Sequence, residues 1–203
     1  MTLDTILIAT SNPGKAHLIQ ELLKDLPLQF KLLQDLNLDP EFEEIGTTFE
    51  DNSLAKAQHF YRLSGLATIS DDSGLAIDAL HGEPGVLSRN WPGYKATDQE
   101  LVDMMVTKLQ NIPEGQRTAN FISVITLYVD PEHIYTARGE SRGMMLLEPK
   151  APLKAGIPWS SYFYYPDLDK VNSELTSEET LKYGHRGKAI KQLHNILTKI
   201  LHE

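Results

Sequence analysis

The chain contains no cysteine. Disulfides, thiolate zinc sites, iron–sulfur clusters and a cysteine nucleophile are thereby excluded, and a reducing cytosol is compatible with the composition. No stretch approaches the roughly 20 apolar residues that a transmembrane helix needs. The first ten residues, Met1 to Thr10, carry no basic leader and too short an apolar run for a signal peptide, so the cytoplasm is the expected location. Positive charge is scarce as well: 19 Lys and Arg stand against 28 Asp and Glu, a formal net charge of −9. That balance argues against nonspecific nucleic-acid binding and against an anionic membrane surface. It leaves room for a small anionic ligand, because a few local cations and a metal ion override the net field. What is present is ordinary for a globular protein: 203 residues, 41% hydrophobic and 23% charged. Such a chain builds its own core, as one domain over residues 1–203 or as two closely joined lobes.

Strand-like and helix-like stretches alternate, which predicts an α/β protein. Ile6–Ala9 is a continuous apolar run suited to a central strand buried on both faces. A helix follows with Leu18, Ile19, Leu22, Leu23 and Leu26 on one stripe, then a second strand at Phe30–Leu33 and a loop over 35–47. Thr48 reads as an N-cap with Asp51 in the capping-box position, and Gly65 as the helix stop near Leu63. Leu66–Ile69 reads as a strand ending in the acidic motif Ser70–Gly74. Residues 97–110 suit an amphipathic helix. Thr118–Val129 and Ile134–Leu147, joined by the turn signal Asp130–His133, suit a long antiparallel hairpin. The last helix starts near His185 with apolar positions 189, 190, 193, 196, 197, 200 and 201. The expected sheet is mixed, parallel early and hairpin-like late.

Five constellations carry candidate chemistry. Thr10, Ser11, Asn12, Pro13, Gly14 and Lys15 link a strand to a helix start, a place where loop N–H groups, the helix dipole and a lysine suit a phosphate. The same residues also make an ordinary helix-start turn. They are not a Walker A loop, since Ala9 and Ala16 stand where that pattern needs Gly and Ser or Thr. Asp71 and Asp72, flanked by Ser70, Ser73 and Gly74, suit a divalent cation and an activated water, or simply a solvated acidic turn. Neighbouring strand residues face opposite ways, so both acids serve one site only if the backbone bends, which Gly74 makes easier. Glu43 and Glu44 matter only if the fold brings them to Asp71 and Asp72. Asn52 and Lys56 share a helix face and otherwise form a polar outer stripe with His59 nearby. Gly184–Lys188 places His185 and Arg186 at a helix start, where cations are disfavoured unless an anion or polar ligand compensates. Upstream, Trp159–Tyr165 offers stacking rings, or core aromatics on a strand. Together these are the parts of a nucleoside triphosphate site.

The joint order of these motifs resembles the inosine triphosphate pyrophosphatase, or non-canonical purine nucleoside triphosphate pyrophosphatase, family. Ile8–Lys15, Thr48–Ala57, Asp71–Leu80, Gly85–Ser88 and His185–Ala189 carry the resemblance, which covers nearly the whole chain. It implies a long mixed β-sheet flanked by helices, two lobes with a central cleft, and a homodimer. It implies Mg2+-dependent cleavage between the α and β phosphates of a nucleoside triphosphate, releasing the monophosphate and pyrophosphate. Thr10 to Lys15 would cradle phosphates, Glu44, Asp71 and Asp72 would hold the metal, and Asp72 would take the proton from the attacking water. Lys56 and Ser73 would contact the triphosphate, and His185 and Arg186 the base edge.

The base-recognition segment departs from the family pattern. Phe-Gly-Tyr-Asp-Pro falls on residues 157–161, placing Ile157 at the stacking phenylalanine and Ser160 at the base-reading aspartate. No Asp or Glu occurs from Lys150 to Tyr165, and Thr180 stands at an expected lysine, with Lys182 two positions off register. The expectation is retained hydrolysis with altered base preference, Trp159 or Tyr162 replacing the missing ring. The competing class is a nucleotide-binding sensor or partner protein that has lost turnover. A haloacid-dehalogenase-type phosphatase is disfavoured, because Thr10, Ser11 and Asn12 stand where its Asp-x-Asp would follow the first strand.

Overall fold

In the computed structural model, which describes residues 3–202, the chain is a mixed α/β protein. The first apolar run forms strand β1 (Thr5–Ala9), buried after Thr5. Helix α1 (Pro13–Leu22) is started by Asn12, whose side chain accepts from Gly14 and Lys15 N–H, with Pro13 in the first turn. Strand β2 (Gln29–Leu32) lies parallel to β1, with Ile6 opposite Phe30. Leu33, expected in that strand, instead opens a 3-10 turn, Leu33–Leu36. Helix α2 (Phe49–Ser64) begins at Thr48, which accepts from Asp51 N–H, and stops at Gly65 with φ 68°.

Strand β3 (Ala67–Ile77) differs from the sequence expectation. It does not end at the acidic motif but runs straight through it for 11 residues. Short strand β4 (Pro84–Gly85) pairs with its later half, Leu75 opposite Gly85. Helix α3 (Asp98–Leu109) carries a full capping box between Thr97 and Glu100. Strands β5 (Thr118–Asp130) and β6 (His133–Met145) follow, and Asp130 Oδ1 closes their turn by accepting from Glu132 and His133 N–H. Strands β7 (Phe163–Tyr165) and β8 (Lys170–Val171) precede helices α4 (Ser177–Tyr183) and α5 (His185–His202). The sheet order is β2-β1-β3-β5-β6-β7-β8, with β4 on β3. No helix among the described residues is long and apolar enough to cross a membrane.

The chain divides into two compact units. One comprises residues up to Ser73, Ser123–Gly139 and the chain from Arg186; the other comprises Gly74–Ile122 and Glu140–His185. In the first, β1 is covered on both faces. Ile6 and Ile8 pack with Ile19 of α1, with Leu23 just after it, and with Ile190, Leu193 and Leu197 of α5. Leu7 and Ala9 pack against Phe60 of α2 and Leu33. Period-two alternation with two apolar sides explains why β1 reads as an unbroken hydrophobic run. In the second unit, Leu75, Ile77, Phe121, Met145 and Phe163 pack on Leu101, Val102, Met105 and Leu109 of α3, with Trp91 and Trp159 alongside.

Candidate active site

The first unit gathers most of the predicted residues at the C-terminal end of β1 and the middle of β3. Because β3 stays extended, its side chains alternate through the acidic motif. Ser70 and Asp72 point toward α2: Ser70 Oγ donates to Ser53 O at 2.5 Å, and the Asn52 side chain is near enough to Asp72 to favour its ionised form. Asp71 and Ser73 point the other way, toward Lys15 and Arg186.

Asp71 is enclosed by donors. Its side chain is 0% exposed, with Oδ2 2.7 Å from Lys15 Nζ and 3.3 Å from Arg186 Nε. Oδ1 accepts from Ser123 Oγ in a short hydrogen bond. Burial by itself would raise this carboxyl, but the Lys15 and Arg186 charges override it and hold it far below the ordinary carboxylate range. Ser73 Oγ accepts from the same two cations, from Lys15 Nζ at 3.0 Å and Arg186 Nη2 at 2.9 Å. Burial pulls the Lys15 ammonium down, with Asp71 opposing it and Arg186 and Lys56 adding to it.

Asp72 is the contrast. Oδ1 accepts from Ser73 N–H at 2.8 Å, while Oδ2 is buried without a hydrogen-bond partner. Burial first, and then the charge of Glu44, push its carboxyl up to about 6. Glu44 itself is ion-paired with Lys56, whose Nζ also donates to Asp71 O at 3.2 Å. Asn52, buried on the same face of α2 as Lys56, accepts from Gly46 N–H at 2.7 Å and so ties the Glu44 loop to the helix. The polar face of α2 is therefore turned inward here, not a solvated stripe. His59 lies elsewhere, its ring 5.3 Å from Phe42 and 4.9 Å from Phe60.

The loop from Thr10 to Lys15 is internally satisfied. Thr10 N–H donates to Ile8 O, Asn12 N–H to Thr10 Oγ1, and Gly14 and Lys15 N–H to Asn12 Oδ1. Its readiest contribution to an anion is the Lys15 charge. Among the described residues, no three His, Asp or Glu side chains gather as a ready metal cluster. Lys15, Lys56 and Arg186 instead neutralise Asp71 and Glu44.

The remaining predicted residues lie in the second unit. Trp159 packs edge-on to Trp91 at 6.3 Å, its indole N–H buried without a partner. Ser160 is buried, and its hydroxyl donates to Ile157 O at 2.7 Å, closing its own 3-10 turn. His185 stacks on Phe121 with ring centroids 4.9 Å apart. Sequence reasoning passed over Ser123. Its only signal is a small hydroxyl in the apolar run of β5, with Thr126 the next one along.

A model of the Ham1 family matches residues 6–196. A dITP/XTP pyrophosphatase of Yersinia pseudotuberculosis is 38% identical over 196 residues, covering 95% of this chain and 97% of that protein. One from Bacillus subtilis is 36% identical over 191 residues, covering 94% and 96%. A solved HAM1 protein from Coxiella burnetii superposes with a TM-score of 0.85 at 33% identity, covering 97% of this chain and 99% of the other. The Staphylococcus aureus Ham1 protein gives 0.83 at 29% identity, covering 97% and 100%.

Proposed function

The chain belongs to the Ham1 family, and from that membership we propose that it is a nucleoside triphosphate pyrophosphohydrolase acting on non-canonical nucleotides. Its dITP/XTP pyrophosphatase relatives support the class of reaction. The observation that carries the assignment to residues is Asp72: a buried carboxylate with one oxygen unpartnered, near enough to Lys56 and Lys15 for their charge to act on it.

Water attacks the α-phosphorus, the bond from the α-phosphorus to the bridging oxygen breaks, and pyrophosphate leaves. The Asp72 carboxylate accepts the proton of the attacking water, the task of a positioned general base. Lys15, Lys56 and Arg186 offset the charge of the triphosphate and of the departing pyrophosphate. Arg186 sits among Asp71 and Ser73, which supports a phosphate role for it beside the base-edge role implied by resemblance. Ser73, bonded to two of the cations, is placed to follow them.

Magnesium fits part of the expected acid set. It takes oxygen ligands, and Asp72 Oδ2 is a buried oxygen with nothing to bind, with the Glu44 charge close enough to perturb it. Asp71 fits less well, since both its oxygens already accept from Ser123, Lys15 and Arg186. We therefore assign Asp72 and Glu44 as the residues that would hold magnesium, with Asp71 organising the cations. When bound, magnesium supplies further positive charge against the triphosphate.

Base preference is altered in this reading. Ser160 replaces an acid and donates its hydroxyl to Ile157 O, so no carboxylate from 150–165 reads the base. A single domain over residues 1–203, a homodimer and a cytoplasmic location complete the proposal. Pyrophosphate release is measured with magnesium across purine and pyrimidine triphosphates, alongside Asp72→Asn. Release by the parent and its loss in the variant are expected. Binding without release would favour a sensor protein instead, and strict selectivity for inosine triphosphate would refute altered recognition.

A further inference from the structure

Ser123 is a hydroxyl of this site that the reaction above leaves without a role. It lies in β5 with Ile122 before it and Val124 and Ile125 after it, and it is 0% exposed. A hydroxyl in such a place is unfavourable unless it finds a partner. Its partner is Asp71 Oδ1, from 52 residues away in the chain. The other oxygen of the same carboxylate meets Lys15 and Arg186, and those cations also share Ser73 Oγ. One carboxylate thus faces two cations, leaving them with an excess positive charge for an anion.

We propose that Ser123 is a positioning residue for triphosphate binding: by donating to Asp71 Oδ1 it sets the rotation of that carboxylate, and so where Lys15 and Arg186 present their charge. The inference rests on the pyrophosphohydrolase reading above. Without the hydroxyl, Oδ1 is a buried carboxylate oxygen with no donor, and the carboxylate turns to find one. The two cations, each on a long flexible stem, follow it. The chemistry of Asp72 is on the opposite face of β3 and is disturbed much less.

The test compares Ser123→Ala with Ser123→Thr, which keeps the hydroxyl and suits a strand. Two quantities are read with magnesium present: KM and kcat for a cleaved nucleoside triphosphate, and the affinity for inorganic tripolyphosphate by calorimetry. Ser123→Ala is expected to raise KM and weaken tripolyphosphate binding by about tenfold, as loss of a hydrogen bond to a charged group implies, with kcat falling far less. Ser123→Thr is expected to stay near the parent. In an Asp71→Asn background the effect of Ser123→Ala is expected to shrink, because the residue acts through Asp71.

Unchanged affinity in Ser123→Ala would overturn the proposal, as would an equal loss in both backgrounds. If Asp71→Asn does not fold, as circular dichroism will show, the Ala and Thr variants decide alone: Thr as impaired as Ala refutes it. Tripolyphosphate binding needs no turnover. Absence of pyrophosphate release would therefore count against the enzymatic reading, while the calorimetric comparison still decides the role of Ser123.

Discussion

Asp71 and Asp72 are adjacent in β3, yet their carboxylates occupy opposite electrostatic environments. Asp71 is held by two cations and a hydroxyl and stays ionised, while Asp72 keeps one oxygen unpartnered and is pushed up to about 6. A strand's pleat separates them, and the separation divides the labour between anchoring charge and accepting a proton.

Asp72→Asn is expected to lose at least about 100-fold in turnover, the usual scale for a general base. In metal-free solution the same change stabilises the fold. The folded-state pKa of Asp72 is raised from 3.8 to about 6, so ionising it opposes folding. The penalty is absent below pH 3.8, grows as pH rises toward 6 and is complete above it. The gain in the variant is therefore largest near pH 8 and gone at low pH. Its ceiling is on the order of 3 kcal/mol, at roughly 1.4 kcal/mol per pKa unit. Urea denaturation in chelator across that range measures it; no gain at pH 8 would contradict the prediction.

Asp71→Asn is expected to act in the opposite direction. Its carboxyl is lowered, so its contribution is present above the ordinary value of 3.8 and fades as pH falls further. Removing the charge leaves Lys15 and Arg186 without their shared counterion, which costs about 3 kcal/mol for a buried pair. Denaturation midpoints at neutral pH should fall clearly, and the deficit relative to the parent should narrow in strong acid.

Gly46→Ala probes the Glu44 loop. A Cβ at Gly46 would lie 2.5 Å from Asn52 Oδ1 and 2.9 Å from Asp51 Cβ. The Gly46 N–H bond to Asn52 would break, and with it the tether between the Glu44 loop and α2. Magnesium-dependent turnover should drop by about tenfold, for a modest stability loss near 1 kcal/mol. A magnesium titration of the rate separates weaker metal use from general unfolding.

Gly143→Ala tests the second unit. An added Cβ would meet Phe163 Cε1 at 2.5 Å and Tyr164 O at 2.6 Å, where β6 pairs with β7. Overpacking of this kind costs about 1–3 kcal/mol, and the backbone contact puts it at the upper end. A thermal melt checks it; a melting temperature equal to the parent's would show that β7 yields freely.

Much of the architecture was legible because it is local. The run Ile6–Ala9, the Thr48 cap, the Gly65 stop, the helix within 97–110 and the turn at Asp130 all took the form their residue types dictate. Helix α4 went unread although Thr176 and Glu179 form a capping box, because its seven residues are too few to show a period. Strand β3 was cut short because Ser70–Gly74 is polar and looks like a turn. Buried partners at Ser53, Lys15 and Ser123 satisfy that polarity and let the strand continue. Ser123 was missed for the same reason, since its partner is remote in sequence.

By itself the sequence determined which groups the protein owns and where its elements begin, since caps, periods and turn residues act over a few positions. Which acid would be charged and which would stay poised was decided only by the tertiary structure. That outcome depends on the unbroken pleat of β3 and on donors brought from Ser123 and, 115 residues away, from Arg186. Burial and neighbouring charge act through space, and adjacency along the chain carries no information about them.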